Sequence, residues 1–69
     1  MVALENKTLD SQLVSFIDNK ARRLKALIEI GEPNIEQEME VDIHYIILKA
    51  HDKGHKSRNY IGYYIERLK

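Results

Sequence analysis

The residues with the strongest claim to chemistry lie in one short stretch, His51-Asp52-Lys53-Gly54-His55. Two histidines four apart on one helix can grip a metal ion through their imidazoles, with Asp52 or the nearby His44 as a further ligand. Gly54 is expected to break the helix between them, which spoils that geometry, and the chain has no Cys to complete a ligand set. The expectation is a solvated turn with no metal and no cofactor. Ser11, Ser15 and Ser57 lack a base and an acid arranged for nucleophilic attack. Glu36 and Glu40 stand at helical spacing, but on a face expected to be solvated and not in a cleft. No glycine-rich phosphate loop is present. The residue types therefore point away from an enzyme and away from a small-molecule substrate.

The His51-Asp52 pair resembles the dyad of metal phosphohydrolases. Those enzymes need more ligands and a much larger helical domain than 69 residues supply, so the resemblance carries no activity here. A chain of this length forms one domain, expected over residues 1–69, and buries only about 60% of the surface its unfolded form exposes. Hydrophobic content of 43% excludes a disordered chain. The start turns polar at Glu5, short of the roughly 7–15 apolar residues of a signal core. The longest apolar run, Tyr45-Ile46-Ile47-Leu48, is far below the ~20 residues that span a bilayer. A cytoplasmic location and no membrane partner are expected.

Two breaks divide the sequence. Gly31-Glu32-Pro33-Asn34 reads as a helix stop followed by a cap, and Lys53-Gly54-His55-Lys56-Ser57 reads the same way. The spacing predicts an all-α, three-helix bundle with helices over Leu9–Ile30, Ile35–Lys53 and Arg58–Leu68, preceded by a frayed arm over residues 1–7. Thr8 is expected to cap the first helix, with Asp10 in its first turn. At 100° per residue, Leu9, Leu13, Phe16, Ile17, Ala21, Leu24, Leu27 and Ile28 share a stripe about 160° wide. Lys20 projects within that stripe, so its stem is expected to snorkel. Asn34 and Gln37 stand at capping-box spacing. The second helix places Ile35, Met39, Ile43, Ile46, Ile47 and Ala50 on one face, and Val41, Tyr45 and Leu48 on another, nearly opposite. A helix apolar on two sides is expected to lie between neighbours. The segment Val41–Leu48 is also rich in strand formers, but its acidic lead-in and the lack of a partner strand favour helix. The third helix turns Tyr60, Ile61, Tyr64, Ile65 and Leu68 inward and Asn59, Gly62, Tyr63, Glu66 and Arg67 outward.

Eleven bases balance eleven acids, and the zero net charge argues against a generic polyanion binder. The charges are nonetheless segregated. Residues 29–42 hold Glu29, Glu32, Glu36, Glu38, Glu40 and Asp42 without a base, whereas residues 49–69 set six bases against Asp52 and Glu66. Matching of acids and bases to helix dipoles explains much of this pattern.

Surplus apolar surface on so small a domain predicts oligomerisation. The expected state is a homodimer, with the first helix or the second face of the middle helix at the seam. The expected role is a small regulatory or adaptor protein that binds and masks another protein, using Val41, Tyr45, Leu48 and Tyr63. The alternative is DNA binding. Ala50-x-x-x-Gly54 resembles the turn of a helix-turn-helix over residues 50–68, which implies contacts from Lys56, Arg58, Asn59, Tyr63 and Arg67. The longer connection after Gly54, the polar His55 and the neutral net charge weigh against it.

Overall fold

The computed structural model describes residues 9–69. Within them the chain forms three helices, α1 (Ser11–Glu29), α2 (Ile35–Asp52) and α3 (Ser57–Leu68), and no strand. The fold is all-α, and the segment rich in strand formers is helical. The expected arm over residues 1–7 and Thr8 lie outside the described residues.

Asp10 caps α1. Its backbone is extended, and its Oδ1 accepts the backbone N–H of Gln12 at 2.8 Å and of Leu13 at 3.1 Å. The helix therefore starts two residues later than the periodicity suggested, because a carboxylate at this position satisfies two otherwise unpaired donors. The two glycine stops behave as expected. Gly31 and Gly54 both adopt positive φ, near 79° and 76°. Each turn closes with paired backbone bonds: Glu32 N–H to Leu27 O at 3.0 Å and Gly31 N–H to Ile28 O at 3.1 Å, then His55 N–H to Ala50 O at 2.8 Å and Gly54 N–H to His51 O at 3.0 Å. Both are Schellman endings, in which a left-handed glycine turns the chain back on the last helical carbonyls.

α2 starts at Ile35, as expected, and α3 one residue before the expected Arg58, but the capping of both differs from expectation. Asn34 occupies the cap position of α2 but makes no side-chain cap bond. Its backbone lies outside the extended region an N-cap uses, and its amide donates instead to Glu32 Oε2 at 3.4 Å. The capping box with Gln37 does not form. Ser57 is the first residue of α3 and not its cap; Lys56 holds that position without a side-chain bond.

The helices run up, down and up. Lys53 at the end of α2 donates to Gln12 Oε1 at 2.7 Å, while Arg23 far along α1 pairs with Glu38 near the start of α2 at 2.8 Å. Tyr60 at the start of α3 accepts the Asp10 N–H at 2.8 Å, and Arg67 near its end meets Asp18 at 3.0 Å. The core is formed by Leu13, Ile17, Ala21 and Leu24 of α1, Ile46 and Ala50 of α2, and Tyr60 and Tyr64 of α3.

The buried part of α1 is narrower than the apolar stripe. Ile28 is half-exposed, as is Ile65 of α3. For Ile28 the reason is length: at 1.5 Å per residue α3 covers only about 18 Å and α1 about 28 Å. Because α3 starts level with the first turn of α1, it stops short of the last turns, and Ile28 and Ile30 keep their water. Gly62 has open space around it, so among the described residues no neighbouring backbone approaches it.

Candidate functional site

The inner face of α2 holds a residue that pattern reading passed over. Asp42 is 1% exposed and sits among Ile35, Met39 and Ile46 at three- and four-residue spacing. Its Oδ2 accepts the Tyr64 hydroxyl at 2.7 Å. Burial, and then the bond to Asp42, push the Tyr64 phenol far above its ordinary range. The signal was available in the sequence, since an acid at the centre of an apolar face needs a donor from a neighbouring helix. It was read there only as one member of an acidic run.

Tyr63 is not outward. It is half-buried, and its hydroxyl donates to Asp18 Oδ1 at 2.8 Å. Arg67 lies over the Tyr63 ring at 6.0 Å and reaches the same carboxylate oxygen. Burial, followed by the Asp18 bond, raises the Tyr63 phenol above its usual value. Tyr63 and Arg67 together dock α3 on α1, so both have intramolecular work. The correction has a simple cause: α1 is close enough to reach around the edge of α3, which a helical wheel cannot register.

The two histidines do not converge. His51 is exposed at the end of α2. His55, beyond the glycine turn, sets its ring edge-on to Tyr60 with centroids 5.7 Å apart and its Nε2 3.9 Å from Asp10 Oδ2. Lys53 Nζ lies 3.6 Å from the same oxygen. The cap bonds from Leu13 and Gln12, with Lys53 beside them, hold the Asp10 carboxyl below its ordinary value. Among the described residues, no group of three or more His, Cys, Asp or Glu is placed to hold a metal ion.

The outer face of α2 is the most conspicuous surface feature. Val41 is 51% exposed, Tyr45 48% and Leu48 50%. Spacings of four and three residues set them in one line along the helix. Ile47 and His44 join them in a shallow apolar concavity. Among the described residues α2 does not lie between neighbours as expected, because α1 and α3 both pack on its inner side. Lys20 rises from α1 at the edge of this face, 5.5 Å from the Tyr45 ring and 5.4 Å from the Phe16 ring. Lys49 covers Phe16 from α2 at 5.1 Å. The snorkelling expected of Lys20 thus has a definite form, with the cation held over two aromatic faces.

No family model, no curated protein and no solved structure matches this chain. Function must be argued from the surfaces themselves.

Of the residues that the DNA reading invoked, Lys56, Arg58 and Asn59 are exposed at the start of α3. Lys56 and Arg58 border a concavity with His51 and His55. Tyr63 and Arg67 are engaged with Asp18 as described. No described helix is long and apolar enough to cross a membrane.

Proposed function

We propose that this protein is a small non-enzymatic regulatory or adaptor protein that acts by binding and masking a partner protein surface, and that the outer face of α2 is its binding face. The observation that carries this reading is the line of Val41, Tyr45 and Leu48, each about half-exposed on a folded domain whose other apolar residues mostly pack inward. Apolar rows at this spacing are how one helix lays itself on another or in a groove. Burying a Leu- or Ile-sized side chain contributes roughly 1.5–3 kcal/mol, so three or four such residues suffice for a specific contact. The same face accounts for the dimeric state expected of the isolated chain. Tyr63 leaves the set of contact residues because its hydroxyl is bound to Asp18.

The DNA-binding alternative keeps one favourable observation, the basic start of α3 with Lys56 and Arg58 exposed. It loses Tyr63 and Arg67 as free readers.

The test is affinity capture from the native host with wild type, Leu48→Asp and Ile30→Asp side by side. Ile30 is 76% exposed and lies away from the face. A partner retained by wild type and Ile30→Asp but lost with Leu48→Asp supports the reading. A partner retained equally by all three rejects it. A gel shift across a salt series, abolished by Arg58→Ala and unaffected by Leu48→Asp, would replace it with DNA binding.

A further inference from the structure

Building on the reading of the outer face of α2 as a binding face, we infer that in the free protein this face is covered by the same face of a second copy, with the two α2 helices antiparallel. The argument is charge complementarity along α2. Flanking the row, its N-terminal half carries Glu38 and Glu40 and its C-terminal half carries Lys49 and His51; Glu38 also pairs with Arg23 within the chain, and Lys53 is held by Gln12 and Asp10. A parallel pairing sets acid on acid and base on base. An antiparallel pairing sets each acidic half on a basic half, and opposes the two helix dipoles favourably.

The register follows from the apolar row. If Val41 meets Leu48 of the second copy, the two-fold axis passes between His44 and Tyr45. A two-fold relating antiparallel helices brings each flank onto the same flank of its mate. On the flank toward α1, Glu38 then lies near Lys49 of the second copy. On the flank toward α3, Glu40 lies near His51. Asp52, the acid that breaks the basic end, falls opposite the neutral Gln37. Every pair occurs twice, as a closed two-fold contact requires. Lys20 stays on the α1 side of Tyr45, outside the central row. One helix face is smaller than the ~800 Å² per partner of a standard interface, so the dimer is concentration-dependent.

The chain has no Cys, so single cysteines report the geometry cleanly. His44→Cys, beside the axis, is expected to give a disulfide-linked dimer under mild oxidation. Gln37→Cys is not, because its mate lies about 22 Å away along the helices. Mixing Gln37→Cys with Asp52→Cys restores linkage. Sedimentation equilibrium is expected to rise from 8.1 kDa towards twice that mass with concentration. Val41→Asp should abolish the rise, Lys49→Glu should weaken association several-fold, and Glu38→Lys with Lys49→Glu should recover it.

Self-linkage of Gln37→Cys overturns the antiparallel register. A mass of 8.1 kDa at high micromolar concentration, with no linkage of His44→Cys, overturns self-association but leaves the face to a different protein, which the capture experiment decides. A dimer indifferent to Val41→Asp overturns this inference, because the copies then meet elsewhere, while the capture experiment still decides the assignment of the face.

Discussion

Both sides of α2 carry apolar residues, and the two end in opposite states. The inner side buries Ile46 and Ala50 completely and accepts a carboxylate among them, because Tyr64 reaches across from α3 to bind Asp42. The outer side has no buried polar group to satisfy and yet leaves Val41, Tyr45 and Leu48 half in water. Apolarity alone does not seal a side. Geometry does: three helices of this length can all meet on only one side of α2. A polar group is tolerated inside when a donor arrives with the right reach, and an apolar group stays outside when none of the described helices reaches it.

The contrast can be broken most strongly from the inside. Ile46→Ala removes a fully buried side chain where all three helices meet, and is expected to cost about 2–5 kcal/mol in urea unfolding. A loss below about 1 kcal/mol would mean the inner side is not the sealed one. Tyr64→Phe should cost about 1.5–3 kcal/mol, since it keeps the ring but leaves Asp42 buried without its donor. A neutral result would show that water reaches Asp42.

The same pair has a pH signature. The folded phenol of Tyr64 is raised above its ordinary value of 10.0, so its contribution to stability is fully present below pH 10 and is lost as pH rises beyond it. Wild type should lose stability above pH 10, and Tyr64→Phe should lose markedly less over that range. The part that remains belongs in some measure to Tyr63, whose phenol is raised in the same direction. The smallest expected effect sharpens the comparison from the outside. Leu48→Lys, at dilute concentrations where the chain is monomeric, should change unfolding free energy by no more than about 0.5 kcal/mol. A loss of several kcal/mol there would show that Leu48 belongs to the core after all.

The number, kind and order of helices were legible in the sequence. Those features are local: the periodicity of Leu13, Ile17, Ala21 and Leu24, and the left-handed glycines at positions 31 and 54, are properties of neighbouring residues along the chain. The outer row of Val41, Tyr45 and Leu48 was legible for the same reason, as a second period on one helix. The caps of the helices were less legible than their spans, because a cap depends on backbone geometry at one residue. Asp10 had the extended backbone and Asn34 did not.

What the sequence by itself determined is which residues share a face of which helix. Only the tertiary structure decided which faces meet, and so which polar groups find partners across helices. The Tyr64–Asp42 bond joins residues 22 apart and the Tyr63–Asp18 bond residues 45 apart. Neither spacing has a local period to announce it. Both depend on where α3 comes to rest, which is set by helix lengths and shared packing on one side of α2, and no single stretch of the chain carries that information.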